Sequence, residues 1–227
     1  MHGGELENFF INPSKTTKAL NLPEKLKRIL PKQKAVIVVS KSEYRSWLNL
    51  DNELKRNLKI IPHGISSENF YPKPENERLR LRQVLNLKQT DFVIFSASRL
   101  VERKGQDTLI EAISKIKEQT PQLKILIAGD GEFKENLIQY AISKEVDDRT
   151  IFLGPINRSD LVCYFNVADL FVLPSRFMES FGLVYIESMA CGIPVISSNL
   201  GGVNDIVQND VNGFKIRAGD NNELGKL

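Results

Sequence analysis

The chain has 227 residues, of which 41% are hydrophobic and 26% charged, the balance of an ordinary globular protein long enough for one large α/β domain, or one domain and part of another. No apolar run approaches the length of a membrane span, and Met1-His2-Gly3-Gly4-Glu5 lacks the basic and apolar regions of a secretory signal. The net charge of +3 is unevenly spread: residues 1–60 hold 12 Lys+Arg against 6 Asp+Glu, whereas residues 61–227 hold 19 against 22, which suggests two units with different partners.

Within residues 1–60, Ala35 to Val39 is a short apolar run rich in β-branched residues and reads as a buried parallel strand. Ser42 to Leu50 reads as a helix, and Lys59 to Gly64 as a strand stopped by a turn. Leu22 to Pro31 is basic and amphipathic. Prolines near both ends limit it to about two turns, favouring a surface helix over an alternative role in touching anionic lipid. Two strands do not make a stable sheet by themselves, so this segment is expected to be the remnant of a larger domain.

From residue 91 strands and helices alternate. Phe92–Ala97, Leu123–Ala128, Thr150–Leu153, Leu170–Leu173, Pro194–Ser197 and Gly213–Ile216 read as strands. Gln106–Gln119, Phe133–Lys144, Arg158–Ala168, Leu183–Cys191 and a short Val203–Val207 segment read as helices. This order predicts a Rossmann-like, doubly wound parallel sheet, and ligands of such sheets bind beyond the C-terminal strand ends. Cys163 and Cys191 fall in apolar helical contexts without CxxC spacing. They read as reduced, buried thiols of a cytoplasmic protein, and with two histidines they give no expected metal site.

The residues after each strand carry the chemistry. Ser98-Arg99-Leu100-Val101-Glu102-Arg103-Lys104-Gly105 places cations before a helix N-terminus, which suits a pyrophosphate, although by itself the segment reads rather as a solvated basic loop. Gly129-Asp130-Gly131 either admits a ligand to the backbone or makes a tight turn. The segment from Pro174 to Glu187 holds two carboxylates eight positions apart: Glu179 on a loop, and Glu187 one turn inside a helix whose neighbours Ile186, Met189 and Ala190 are apolar. An acid in that setting needs a partner. The amides of Phe181, Gly182 and Leu183 are donors at the helix start. No GxGxxG follows the first long strand, which disfavours a dinucleotide-dependent oxidoreductase.

These motifs resemble the retaining glycosyltransferases of family four, the group-one glycosyl transferases of GT-B fold. The resemblance rests on Ile61-Pro62-His63-Gly64-Ile65 with Phe70, Ser98-Arg99-Leu100-Val101 with Lys104-Gly105, Gly129-Asp130-Gly131, Phe152-Leu153-Gly154 with Ile156, Glu179 through Glu187, Met189 through Ile196, and Gly201-Gly202 with Asp205. Asp205 stands where the family usually has Glu, and the loop from Ser175 to Glu179 is one residue longer than in many members. The resemblance implies residues 1–62 as a remnant of the N-terminal, acceptor-side domain and residues 63–227 as the C-terminal, nucleotide-sugar-binding domain. It further implies Arg99 and Lys104 on the donor diphosphate, Glu179 on the sugar hydroxyls, Glu187 on the ribose, and backbone amides of Phe181, Gly182 and Leu183 on phosphate and sugar. Ile156 would lie beside the base and Gly129, Asp130 and Gly131 would line the donor site. His63 reads as a turn contact rather than a base. The activity implied is sugar transfer, with retention, from a nucleoside diphosphate sugar to a sugar, lipid or protein acceptor. No cofactor, no metal and no nucleic-acid partner are expected. Other partners implied are a membrane surface, through the basic N-terminal segment, and an N-terminal-domain chain.

Overall fold

The computed structural model describes residues 21–227; the first twenty positions of the expected 1–62 remnant, His2-Gly3-Gly4 among them, lie outside the described residues. The chain divides into two compact units. The smaller comprises the segment up to Gly64 together with Phe177–Gly182 and Leu200–Ile206. The larger comprises Ile65–Arg176, Leu183–Asn199 and Val207–Leu227.

In the smaller unit, helix α1 (Leu22–Ile29) is followed by strand β1 (Val36–Val38), helix α2 (Lys41–Leu50) and strand β2 (Leu58–Ile60). Pro23 lies in the first turn of α1, where a missing amide costs nothing, and the helix spans the two turns expected for it. β1 and β2 pair in parallel, Val36 opposite Leu58 and Val38 opposite Ile60. Ser40 and Glu43 cap α2: the Ser40 hydroxyl accepts from the Glu43 amide at 3.1 Å, and the Glu43 carboxylate accepts from the Val39 amide at 3.0 Å. Val38, Trp47, Leu54 and Leu58 form a small core, while Ile37, Ile60 and Ile61 remain exposed.

The larger unit begins with helix α3 (Glu75–Val84) and continues as β3 (Phe92–Ala97), α4 (Gln106–Ile116), β4 (Leu123–Ala128), α5 (Lys134–Ser143), β5 (Thr150–Gly154), α6 (Leu161–Val167), β6 (Leu170–Leu173), α7 (Leu183–Ala190), β7 (Val195–Ser198), β8 (Gly213–Ile216) and α8 (Asn221–Leu224). Its six strands are all parallel, in the order β5-β4-β3-β6-β7-β8. The winding reverses between β3 and β6, the switch point of a Rossmann-like sheet. Alternate residues of β3 serve opposite faces. Ile94 joins Leu109, Ile110, Ile113, Leu137 and Ala141 of α4 and α5. Phe95 packs edge-on against Phe165 of α6 at 5.4 Å, and Phe171 packs in the same way against Tyr185 of α7 at 5.7 Å. Both faces are therefore buried, as continuous apolar strands require.

Four elements differ from expectation, one of them the short helix α8, for which the sequence reading had no counterpart. Helix α3 has no counterpart in the sequence reading. It is held by ions rather than by an apolar stripe: buried Arg82 donates to the carbonyls of Val167 and Asp91, each at 3.0 Å, and to Asp169 at 2.6 Å. The helix expected from Arg158 starts only at Leu161, because Asn157 to Asp160 form a turn closed by the Asp160 amide on the Asn157 carbonyl at 3.0 Å. The short helix expected at Val203–Val207 is a single 3-10 turn, Gly202–Asp205. Among the described residues no helix is long and apolar enough to cross a membrane.

Candidate functional site

Arg99 follows β3 directly and is exposed; Lys104 closes a 3-10 turn (Glu102–Lys104) before α4 and is half-buried. Loops after β3 and β6 are tied together on either side of the switch point. The Arg176 amide donates to the Arg103 carbonyl at 2.8 Å, and its guanidinium reaches Asp107 at 2.6 Å. The cation-bearing loop is thus built into the sheet end rather than hanging free in solvent.

Gly129 and Gly131 both lie where the backbone packs closely. A Cβ on Gly129 would stand 1.8 Å from the Ser98 carbonyl oxygen, and one on Gly131 would stand 2.3 Å from that of Leu100. The Leu100 amide donates to Asp130 at 2.9 Å, and the Phe133 amide to Leu100 at 3.0 Å. The glycines let the loop after β4 lie against the loop that carries Arg99, so they shape the strand ends whatever binds there.

α7 begins beyond the C-terminal end of β6. The buried Tyr185 hydroxyl donates to the Leu173 carbonyl at 2.7 Å and fixes the helix on that strand end. Glu187 is 1% exposed, and Nη2 of Arg158 donates to its Oε1 at 2.6 Å. Burial pushes the Glu187 carboxyl above its ordinary range, and the Arg158 charge opposes that shift. The buried acid has the partner that its burial calls for. Sequence reasoning placed Arg158 on a helix and not beside Glu187; the signal was a cation two positions after Ile156, which is itself half-buried on the loop after β5.

Glu179, Phe181 and Gly182 belong to the smaller unit, whereas Arg99, Lys104, Gly129, Asp130, Gly131, Ile156, Leu183 and Glu187 belong to the larger. In the smaller unit Glu179 is half-buried, its backbone bridged to Gly201, and Phe181 is buried with its ring edge-on to His63 at 5.5 Å. This ring contact is with a residue far along the chain rather than within the turn expected of His63. Gly182, at φ 98°, precedes α7. The Asp205 carboxylate accepts from the Lys41 amide at 2.6 Å at the start of α2.

A cleft of about 440 Å³ lies at the opposite, N-terminal strand ends, lined by Phe92, Gln122, Arg78, Arg82 and Asp169 among others. Its guanidinium groups are committed to Asp169 and to backbone carbonyls, so it holds α3 in place.

A six-stranded parallel sheet with a cation-bearing loop at its switch point is a Rossmann-like domain of the kind that binds nucleotides beyond its strand ends. Residues 77–227 match the family model of the glycosyl transferases group 1, and the chain belongs to that family. It is 32% identical over 173 residues to the GDP-mannose-dependent monoacylated alpha-(1-6)-phosphatidylinositol monomannoside mannosyltransferase of Corynebacterium glutamicum, covering 74% of this chain and 45% of that protein. It is 30% identical over 190 residues to a D-inositol 3-phosphate glycosyltransferase of a Mycobacterium species, covering 82% and 42%. The chain therefore spans about half the length of the curated relatives it matches. Among solved structures, HepE of Anabaena in complex with UDP and glucose superposes with a TM-score of 0.81 at 27% identity, over 91% of this chain and 55% of that one. Sucrose-phosphate synthase of Thermosynechococcus elongatus gives 0.79 at 29%, over 99% and 55%.

Proposed function

We propose that this chain carries the donor side of a glycosyltransferase that moves a sugar from a nucleoside diphosphate sugar to an acceptor with retention at the anomeric carbon. The observation that carries this reading is Glu187. A nearly fully buried carboxylate stands in the helix that starts beyond β6, and cationic Arg99 and Lys104 follow the adjacent strand β3. A buried acid with a shifted carboxyl beyond a strand end is a candidate functional group, and an acceptor-only carboxylate suits a vicinal diol. In this reading Glu187 takes the ribose and Glu179 the sugar hydroxyls. Arg99 and Lys104 neutralise the leaving diphosphate by preorganised charge, and no metal is required. The amides of Phe181, Gly182 and Leu183 bind phosphate and sugar, and Ile156 borders the base. Residues 1–62 belong to the acceptor side.

A second reading is a non-catalytic binding half completed by a separate partner chain. The exposed Ile37 and Ile60 of the two-stranded sheet favour it, because such a sheet needs a packing partner to be stable. A transfer assay on the purified chain, with radiolabelled nucleotide sugars and a broad acceptor panel, separates the two. Without a partner we expect slow donor hydrolysis and little transfer, since near-attack positioning of an acceptor contributes several powers of ten in rate. Robust transfer by a verified monomer would mean that residues 1–62 already build an acceptor site.

A further inference from the structure

The two members of the Arg158–Glu187 pair differ sharply in exposure: 2% of the glutamate side chain is accessible against 66% of the arginine. The guanidinium thus lies on the solvent side of the carboxylate, on a turn rather than on the body of a helix. Arg158 is the charged group that bears on Glu187. Without it, the buried acid would carry its charge unpaired whenever the site is empty. An arginine that already keeps most of its hydration can swing away with little loss, whereas Glu187 requires a replacement partner.

We propose that Arg158 is a displaceable counter-ion that sets nucleoside affinity: it occupies Glu187 while the donor site is empty and cedes Oε1 to a ribose diol when a nucleoside diphosphate binds. The inference rests on the assignment of Glu187 to the ribose. Each hydroxyl is a donor that can take the place of a guanidinium N–H, so the carboxylate stays satisfied throughout the exchange. The pair is then a competitor that the ligand must overcome, and its removal tightens binding.

The test is titration of uridine and guanosine diphosphates, and of their 2′,3′-dideoxy forms, into the full chain and into its R158Q and R158K variants. Arg158 is two-thirds exposed, so neither substitution removes core packing, and urea melts of each variant check that the buried Glu187 left without its arginine has not unfolded the chain. The ribonucleotide that binds the wild-type chain is expected to bind R158Q roughly 1.5- to 5-fold more tightly, the range spanned by a solvent-facing ion pair. R158K should fall between R158Q and wild type, and the dideoxy form should bind all three alike. Ribonucleotide binding to R158Q that is equal to or weaker than wild type overturns the exchange. A wild-type chain that does not distinguish ribo from dideoxy ligands overturns the ribose assignment itself, and the exchange with it. Binding of neither nucleotide removes the donor-site reading altogether.

Discussion

The amide of Gly202 donates to the carbonyl of Glu179 at 2.7 Å, and there is no room at Gly202 for any side chain. An added Cβ would lie 1.9 Å from the Ser180 carbonyl oxygen and 2.9 Å from the Ser40 Cβ. The Gly201-Gly202 pair thereby sets the position of the backbone that carries Glu179. Gly202→Ala should force Ser180 and Glu179 aside and cost about 1–3 kcal/mol, the usual penalty of overpacking. Urea unfolding measures it, and an unchanged midpoint would show that the segment moves freely.

Arg82 is 4% exposed and binds four acceptors from two other parts of the larger unit. Arg82→Met keeps the volume but leaves Asp169 and the carbonyls of Val167 and Asp91 short of donors. Asp169 retains Arg78 at 2.5 Å. The loss should be about 3 kcal/mol, the low end of what breaking a buried pair costs, and it should appear in denaturant melts as a lowered midpoint. A change under about 0.5 kcal/mol, the range of ordinary surface substitutions, would make α3 an ornament rather than an anchor.

Glu187 gives stability an unusual pH dependence. Its folded-state carboxyl is raised above the ordinary 4.5, so between that value and the raised one the folded state binds more protons than the unfolded state. Its contribution is therefore present at low pH and lost as pH rises through this window. Glu187→Gln removes that loss, so the variant should gain stability relative to wild type between pH 4.5 and pH 8. Denaturation midpoints at the two ends give the difference directly. A gap that does not change with pH would mean that Arg158 compensates the burial in full.

Much of the larger unit was legible before the structure. β3, β4, β6 and β8 keep the ends read from sequence; the first three are short, mostly apolar runs buried in a parallel sheet, whereas β8 lies half-exposed at its edge and is bounded by Asn212 and Arg217. α3 was not legible, because its buried anchor is an arginine and its apolar residues do not trace a face. The assignment of residues 177–182 and 200–206 to the smaller unit was also hidden. It depends on contacts such as Lys41 with Asp205, 164 positions apart, that no local pattern encodes. At the site, the need of Glu187 for a partner could be read from its apolar neighbours, but the identity of Arg158 could not. A helix drawn from Arg158 onward conceals the turn that leaves its side chain available to Glu187.

The central claim is that a nucleoside diphosphate sits on the larger unit with its ribose on Glu187. The most direct measurement is calorimetry of uridine, guanosine and adenosine diphosphates on the wild-type chain and on its Glu187→Ala and Glu179→Ala variants. One of these ligands should bind, Glu187→Ala should weaken it by about 1.5–3 kcal/mol, and Glu179→Ala should leave it nearly unchanged, because the probe carries no sugar. No binding of any of the three, or equal losses in both variants, would contradict the claim.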